Sequence, residues 1–201
     1  LRYTSPHPRH LTASLVRAHA ELPVLADHVH MPVQSGSDRM LKRMIRRYTR
    51  AEYVARVDAL RAARPSLTMS TDIIVGFPGE TAADFELTLS LVREVGFAAL
   101  YGFKYSPRPH TPALRLDDDV SEEEKQSRLL ALFEVSEALT RANLASMVGS
   151  RVEVLIEGPS RPGASTRVGR TRRNEIVHLP GAAGLEAGAV VIAELARANK
   201  H

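Results

Sequence analysis

The sequence predicts an α/β protein in which parallel βαβ units are followed by a small second domain built of strands. Before Met147, short apolar stretches typical of strands alternate with segments whose apolar residues recur at helical spacing. Each predicted strand in this part ends in a loop of polar, Gly and Pro residues. After Met147 the helical spacing disappears and short strand-like stretches follow one another. Together these features indicate a parallel sheet covered by helices, with a β domain attached.

The first predicted unit begins with the strand-like piece LRYTS and a loop that contains Ser5, Pro6 and Pro8. Thr12 suits the N-cap of the helix that follows, because its hydroxyl can accept a hydrogen bond from an unpaired backbone amide. The apolar stripe of this helix contains Leu11, Leu15, Ala18 and Leu22.

The second unit runs from the strand HVHMPV through the loop QSGSD into a helix that Ser37 caps. A further helix begins at Thr49, which forms a capping box with Glu52, and it ends before Pro65. The predicted apolar stripe of the first helix contains Met40, Leu41, Met44 and Ile45. The predicted buried face of the second helix contains Tyr53, Val57 and Leu60.

The third unit contains the stretch STDIIVGFPGET, residues 70–81, which begins as a run of β-branched residues typical of a strand buried on both faces. The strand breaks at Gly76, and Thr81 caps a helix that Gly96 ends. The buried positions of this helix are predicted to be Phe85, Leu89 and Val92.

The fourth predicted strand, ALYGFKYS, leads into the loop PRPHTPA. Acidic residues follow at 117–119 and 122–124, where they suit the start of a helix, and Ser121 forms a capping box with Glu124. The long helix that begins there carries Leu129, Leu132, Phe133, Ser136 and Leu139 on one side.

The loops that follow the four predicted strands are TSPHP, QSGSD, GFPGET and YSPRP. In parallel α/β sheets and barrels, the ligand site is built from the loops at the carboxyl ends of the strands. We therefore expect these loops to form the functional site, with the turn at residues 76–81 as its floor.

The second domain is predicted from the stretches RVEVLIE, RVGRT, EIVHLPG and AVVIAELA, which are separated by turn signals with no helix between them. Short strands of this kind predict a small β-barrel. We place the first domain at residues 1–144 and the second at residues 145–199.

The composition limits the possible functions. The 201 residues are 44% hydrophobic, which suits a globular protein. No apolar run approaches the roughly 20 residues that cross a bilayer, and the N-terminus lacks the apolar core of a signal peptide, so the sequence predicts a cytoplasmic protein. The chain contains no cysteine, which excludes disulfides and cysteine-ligated zinc or iron–sulfur clusters within it.

Positive charge is concentrated in two patches that contain no acidic residue. The first patch contains Arg39, Lys42, Arg43, Arg46, Arg47 and Arg50. The second contains Arg161, Arg167, Arg170, Arg172 and Arg173. A single basic run is most often a solvated helix face, but two runs in one chain favour a polyanionic partner.

Several long segments, in a fixed order, resemble the C-terminal portion of the bacterial tRNA methylthiotransferases of the radical S-adenosylmethionine superfamily. These segments are VQSGSDRMLKRMIRRYTRAEY, STDIIVGFPGETAADF, YSPRPHTPA, VEVLIEGPS and GRTRRNEIVHLPG. The QSGS loop and GRTRRN resemble the branch that acts on isopentenylated adenosine in tRNA, whereas the branch that modifies a ribosomal protein tends to carry QHAS. One departure is His110, where the family usually has Gly, so we expect a stiffer or shifted loop there.

The resemblance implies the C-terminal part of a radical SAM (βα)6 partial barrel, followed by a small RNA-binding β-barrel called TRAM. It further implies an enzyme that adds a methylthio group to carbon 2 of an isopentenylated adenosine next to the tRNA anticodon, by S-adenosylmethionine radical chemistry. The implied partners of the parent enzyme are tRNA, S-adenosylmethionine and a reductant protein, without a membrane.

The family holds two 4Fe-4S clusters through cysteines, and this chain has none. We therefore expect the chain to be an inactive fragment that begins at about the third barrel strand, with a CxxxCxxC motif upstream of Leu1. The cofactors perform the hard chemistry in such enzymes, and these strands supply binding and orientation.

The resemblance also implies roles for individual residues, none of them catalytic or metal-ligating in this chain. The candidates for binding S-adenosylmethionine are Gln34, Ser35, Val75, Gly76, Phe77 and Tyr105. We expect residues 75–77 to form a shelf for the adenine, where Gly76 leaves room for a ring against the backbone, and Lys104 to face the substrate. The candidates for binding RNA are Arg46, Arg47 and, at an exposed barrel rim, Arg167, Arg170, Arg172 and Arg173.

Other interpretations of the same residues remain open. Gly76 can simply relieve turn strain, and Phe77 can be a core aromatic. His28 and His30 have the spacing of two metal ligands, although no third and fourth ligand match them. GFPGET can be a phosphate cradle, although it lacks the Lys and Ser/Thr of a Walker loop. The chain can also be an RNA-binding module alone, or part of the ribosomal-protein methylthiotransferase.

Overall fold

The first part of the chain is built on a parallel sheet of three strands. In a computed structural model, which describes residues 1–3 and 7–199, these strands are β1 (His28–His30), β2 (Thr68–Val75) and β3 (Ala99–Lys104), in the order β1-β2-β3. Both pairings are parallel, which confirms the predicted α/β class. Of the predicted N-terminal strand, residues 1–3 are irregular, and Ser5 and Pro6 lie outside the described residues.

Five helices accompany this sheet, and the predicted N-cap residues begin all of them. The helices are α1 (Ala13–Glu21), α2 (Asp38–Arg43), α3 (Arg50–Ala63), α4 (Ala82–Val95) and α5 (Glu122–Ser146). The caps are Thr12, Ser37, Thr49, Thr81 and Ser121, and each side chain accepts a hydrogen bond from a backbone amide of the first turn. These contacts satisfy amides that have no partner within the helix.

Three residues of the predicted apolar stripes are exposed, namely Leu22, Ile45 and Phe133, at 47%, 53% and 41% of their surface. α2 ends at Arg43, and Ile45 lies beyond it in the left-handed region at φ +59° with 53% of its surface exposed. The helical spacing that placed Ile45 on the buried stripe therefore does not extend past Met44. Pro112–Arg115 and Pro8–His10 form short 3₁₀ turns in the loops.

The core lies between the sheet and the helices on one of its faces. Tyr53, Leu60, Ile73 and Leu91 are fully buried there. Burial of such side chains is the dominant favourable term in folding. The predicted positions Val57, Leu89 and Val92 are buried in the same core, while Phe85 packs against it in part.

Two aromatic side chains of β3 lie on the face of the sheet that is turned away from the core. Tyr101 and Phe103 pair in register with Asp72 and Ile74 of β2, and each keeps about half of its surface exposed, 53% and 52%. Gly102, which points the other way, lies against α5, where an added Cβ would be 2.9 Å from the side chain of Phe133.

The second domain is a small antiparallel sheet, as the stretches after Met147 predict. Its strands are β4 (Arg151–Pro159), β5 (Arg167–Thr171), β6 (Ile176–Leu179) and β7 (Val190–Glu194), in the order β6-β5-β4-β7. Val154 and Ile156 of β4 are buried, while the residues between them face outward, which is the predicted alternation. The boundary at residue 145 stays a prediction. No helix among residues 7–199 has the length and apolar character to span a membrane.

Candidate functional site

The loop after β1 continues alongside β2 at the carboxyl edge of the sheet. The backbone amide of Gln34 donates to the Asp72 carbonyl at 2.9 Å, and the Gln34 carbonyl accepts from the Ile74 amide at 3.0 Å. Gln34 adopts a left-handed φ of +74°, which non-glycine residues rarely use, so the fold places it there at a cost. Gln34 therefore lies at the edge where the sequence predicts the site, with 7% of its surface exposed, and its contact with S-adenosylmethionine stays a prediction.

Ser35 is turned away from that edge. It is fully buried, its hydroxyl lies 3.3 Å from the Thr88 hydroxyl of α4, and it accepts from the Ser37 amide at 3.2 Å. The protein itself engages this hydroxyl, so the predicted contact of Ser35 with S-adenosylmethionine gains no support from the geometry. Ser35 positions the loop instead.

Gly76 ends β2 for two reasons that the structure makes plain. Its φ is +67°, and an added Cβ would lie 2.2 Å from Cγ of Lys125 on α5. The predicted reason, an adenine ring lying on the backbone, is thus not needed to explain this glycine. The Gly76 amide donates to the Glu80 carboxylate at 2.7 Å.

A buried ion pair that the sequence did not reveal fixes the turn. The Glu80 side chain is completely buried and accepts from Arg128 of α5 at 2.8 Å, while Arg128 also donates to the Glu80 carbonyl at 3.0 Å. Burial raises the pKa of Glu80, and the hydrogen bonds from Gly76 and Arg128 oppose that shift. The partners stand 48 positions apart, so no local pattern could have paired them.

Two arginines of the first basic patch hold the same turn from α2. Arg39 donates to the Gly79 carbonyl at 2.6 Å and pairs with Asp84, and Arg43 donates to the Pro78 carbonyl at 2.7 Å. Burial would raise the pKa of Asp84, but the hydrogen bonds from Arg39, Ser37 and Thr81 together lower it well below its usual range. Both arginines therefore stabilise the turn, although 52% of the Arg39 side-chain surface stays exposed.

The turn offers few amides to a phosphate group. The amides of Gly76, Gly79 and Thr81 already donate to the carboxylates of Glu80, Asp119 and Asp84, at 2.7, 2.6 and 2.9 Å. An anion cradle needs such donors pointed at the ligand. The geometry therefore disfavours the interpretation of GFPGET as a phosphate cradle.

Aromatic rings line the carboxyl end of β2 and β3. Phe77 is 6% exposed and meets the Tyr105 ring edge to face at a centroid distance of 5.0 Å. The Tyr105 amide donates to the carbonyl of fully buried Val75 at 2.9 Å, and the Lys125 ammonium lies 5.7 Å from the Tyr105 ring centre. Lys104 pairs with Glu122 of α5, so the prediction that it faces a substrate gains no support.

A chain of polar side chains crosses the open face of the sheet. The rings of His28 and His30 both contact the Ser70 hydroxyl, at 3.0 and 2.8 Å, and His30 also lies 3.3 Å from Asp72. Burial, followed by the charge of Arg2, lowers the pKa of His28 to about 4. Among the described residues no group of three or more candidate ligands could hold a metal ion, so the two histidines have structural partners instead of a metal-site geometry.

Arg172 and Arg173, which are predicted to be exposed at a barrel rim, keep 35% and 25% of their side-chain surface exposed, and their contact with RNA stays a prediction. Arg172 donates to the carbonyls of Pro23 and Leu25 at 2.5 and 2.7 Å, and its own carbonyl accepts from the Asp27 amide at 2.9 Å. Arg173 donates to Asn143 of α5. Both arginines therefore join the second domain to the amino ends of the parallel strands.

The other two arginines of this set also contact the protein itself. Arg167 donates to the Leu185 carbonyl at 2.7 Å, and Arg170 donates to the Glu157 carboxylate at 2.9 Å. Contact between these partly exposed groups and RNA stays a prediction.

Arg46 and Arg47 lie in a different setting. Both follow α2, and Arg47 is exposed at a left-handed φ of +56°. The Nε atom of Arg46 is buried and has no hydrogen-bond partner among the described residues. Of the predicted RNA-binding residues, Arg46, Arg47 and Arg167 form no ion pair with a carboxylate in the described part of the chain, whereas Arg170, Arg172 and Arg173 do.

Comparison with known proteins gives consistent matches along the whole chain. The family described as the Radical SAM superfamily matches residues 3–92, and the TRAM domain family matches residues 145–201. The tRNA-2-methylthio-N(6)-dimethylallyladenosine synthase of Sorangium cellulosum (strain So ce56) is 66% identical over 208 residues, covering 100% of this chain and 42% of that relative. The synthase of the same name from Methylobacillus flagellatus is 52% identical, covering 90% of this chain and 41% of that relative.

A solved structure shares the fold. The radical SAM enzyme coproporphyrinogen III oxidase (HemN) from Escherichia coli matches with a TM-score of 0.55 at 20% identity, covering 72% of this chain and 33% of that chain. The present chain spans about two fifths of the length of these two curated relatives.

Proposed function

We propose that this chain, whose residues 3–92 match the Radical SAM superfamily and whose residues 145–201 match the TRAM domain family, is the cofactor-positioning and tRNA-binding part of a tRNA methylthiotransferase. The observation that carries the proposal is the 66% identity to a named synthase over the full chain. The parent enzyme would add a methylthio group to carbon 2 of isopentenylated adenosine, using a reductant protein, in the cytoplasm.

We propose that S-adenosylmethionine binds at the carboxyl edge of the sheet. The aromatic wall of Phe77 and Tyr105 can pack against an adenine, and Gln34 can offer its amide from the adjacent loop. The backbone groups of Val75 and Gly76 are already paired, so recognition there rests on contact with the rings. When bound together with a cluster, the cofactor supplies the radical chemistry, and these residues hold and orient it.

The two 4Fe-4S clusters do not fit this chain, because the thiolate ligands that they require are absent from its 201 residues. No step of the reaction is therefore assigned to these residues alone. We expect the chain to bind S-adenosylmethionine and tRNA without cleaving the cofactor.

The test is equilibrium dialysis with S-adenosylmethionine and filter binding with a tRNA transcript, alongside anaerobic reconstitution with iron and sulfide. We expect both ligands to bind, no cluster absorbance and no cleavage. Tyr105→Leu should weaken the binding of S-adenosylmethionine but leave tRNA binding unchanged. If the chain binds tRNA but not S-adenosylmethionine, it is better described as an RNA-binding module alone. If it binds neither ligand, the proposal is overturned.

A further inference from the structure

The first basic patch divides into two groups by what its members contact. Arg39 and Arg43 hold the turn after β2, and Arg50 pairs with Glu94 of α4 at 2.6 Å. Arg46 and Arg47 take no part in any ion pair of the described residues. Exposed Lys42 of α2 also forms no ion pair with a described residue, so the unpaired positive charge of this patch lies on α2 and in the segment that follows it.

Arg46 belongs to a cluster of cationic and titratable groups from three separate parts of the chain. We call His7, Arg9, His10, Arg46 and Arg56 the Tyr48 cluster. His7, Arg46 and Arg56 lie near the buried ring of Tyr48, and Arg9 and His10 lie near His7. The His7 ring lies 5.4 Å from the Tyr48 ring and 5.5 Å from the His10 ring, and the charges of Arg46 and Arg56 act on both His7 and Tyr48.

No carboxylate of the described residues balances this charge. Arg56 donates to a backbone carbonyl, that of Glu52, at 2.6 Å, and the buried Nε of Arg46 has no acceptor. A buried donor without an acceptor costs free energy, which an anion placed against it would recover. Burial, followed by the charges of Arg46, His10, Arg9 and Arg56, lowers the pKa of His7, as expected where several cations lack a counterion.

The Tyr48 cluster lies at the same edge of the sheet as the proposed cofactor site. The Tyr48 hydroxyl donates to the carbonyl of Val33 at 2.9 Å, and Val33 directly precedes Gln34. A base held at the carboxyl edge would therefore bring its own phosphate groups toward the cluster. Guanidinium groups grip phosphate through paired hydrogen bonds, which suits Arg46 and Arg56.

We propose that the Tyr48 cluster binds the RNA backbone beside the modified base and that this contact strengthens as the pH falls, through protonation of His7. The inference rests on the proposed function, since the RNA is the substrate of that same site. It assigns the phosphate contact to the edge of the first domain, while Arg172 and Arg173 of the second domain hold the two domains together.

The direction of the pH effect follows from linkage. The groups that face His7 are Arg9 and His10 from its own loop, Arg46 and Tyr48 from the segment after α2, and Arg56 from α3. All of the charged ones are positive, so His7 is mainly neutral near pH 7 in the unbound protein. A phosphate favours the protonated ring, so binding takes up a proton, and the affinity rises from pH 8 to pH 6 by up to about tenfold per pH unit.

The experiment is filter binding of a tRNA transcript to the 201-residue chain across a salt series, at pH 6 and pH 8. The variants are Arg46→Gln/Arg56→Gln, Arg9→Gln/His10→Gln and His7→Gln. The control is Arg93→Gln/Arg141→Gln, which removes two charges from exposed pairs on α4 and α5. Circular dichroism melts show whether each variant folds, and the second variant changes only exposed side chains.

We expect the slope of log affinity against log salt to flatten by about 1.4–1.8 in Arg46→Gln/Arg56→Gln, since each phosphate contact contributes about 0.7–0.9. The control should keep the wild-type slope, and His7→Gln should reduce the difference between pH 6 and pH 8. If the wild-type chain binds tRNA and every folded variant shows the wild-type slope of log affinity against log salt, this inference is overturned. The proposed function would still stand. If the wild-type chain does not bind tRNA, this inference and the RNA-binding part of the proposed function are both overturned.

Discussion

At the scale of single residues, Gly76 shows how structure can change the reason for a residue without changing its identity. The sequence indicated a glycine that leaves room for a ligand, but the structure places Lys125 there and gives the backbone a φ of +67°. Gly96 has a similar φ of +61° with nothing within 4 Å of an added Cβ. A comparison of Gly76 with Gly96 therefore separates the cost of backbone strain from the cost of a side-chain clash.

We expect Gly96→Ala to lower the free energy of unfolding by about 1–2 kcal/mol, the cost of a left-handed conformation for a residue with a Cβ. Gly76→Ala should cost more, because Lys125 is almost fully buried, pairs with Asp118 at 2.6 Å and cannot easily move. Urea unfolding measures both values. In the Lys125→Ala background the excess for Gly76→Ala should shrink, and equal costs for the two glycines would show that Lys125 is irrelevant.

At the scale of secondary-structure elements, local sequence patterns predict where helices begin, but they do not predict contacts between residues that are distant in the chain. The caps Thr12, Ser37 and Thr81 could be identified because each interaction spans only a few residues. The limit of that reasoning is visible at Ile45, where helical spacing continued in the sequence after the helix itself had ended. The ion pair between Arg128 and Glu80 could not be predicted from the sequence, because a contact between α5 and the turn depends on tertiary structure.

That pairing predicts how α5 is attached to the turn. Arg128→Met leaves the Glu80 carboxylate buried without its partner, so we expect the free energy of unfolding to fall by about 3–5 kcal/mol at pH 7. The double variant Glu80→Gln/Arg128→Met should recover much of this loss, because no charge then remains buried. Chemical denaturation of the four proteins of this cycle provides the measurement.

The pH dependence of Arg128→Met has a definite sign. The folded-state pKa of Glu80 is raised, so its protonated form is favoured, and the associated stability is present at low pH and lost as the pH rises through that pKa. Without Arg128 the shift should be larger. The deficit of Arg128→Met relative to wild type should therefore narrow between pH 7 and pH 5, and a deficit that is constant over this range would count against a buried carboxylate.

At the scale of the whole molecule, the sequence predicted that the site lies at the carboxyl edge of the sheet, but it did not predict the contacts that its residues make. Parallel strands brought Gln34, Gly76 and Tyr105 to one edge, as the loops indicated. The basic patches behaved differently, because a charge run in a sequence does not show which of its members find partners within the fold. Most of these arginines did, and Arg172 reaches carbonyls up to 149 positions away.

This interdomain role of Arg172 distinguishes it from an RNA contact. Arg172→Gln/Arg173→Gln removes the hydrogen bonds to Pro23, Leu25 and Asn143, so the second domain should dock less firmly on the first. We expect a lower melting temperature and faster proteolysis around residues 147–150, measured beside Arg93→Gln/Arg141→Gln as the control of equal charge. The salt slope of tRNA binding should change less than it does in Arg46→Gln/Arg56→Gln. A flattened slope with unchanged melting and proteolysis would instead make these arginines phosphate contacts, because they would then act on the RNA without supporting the fold.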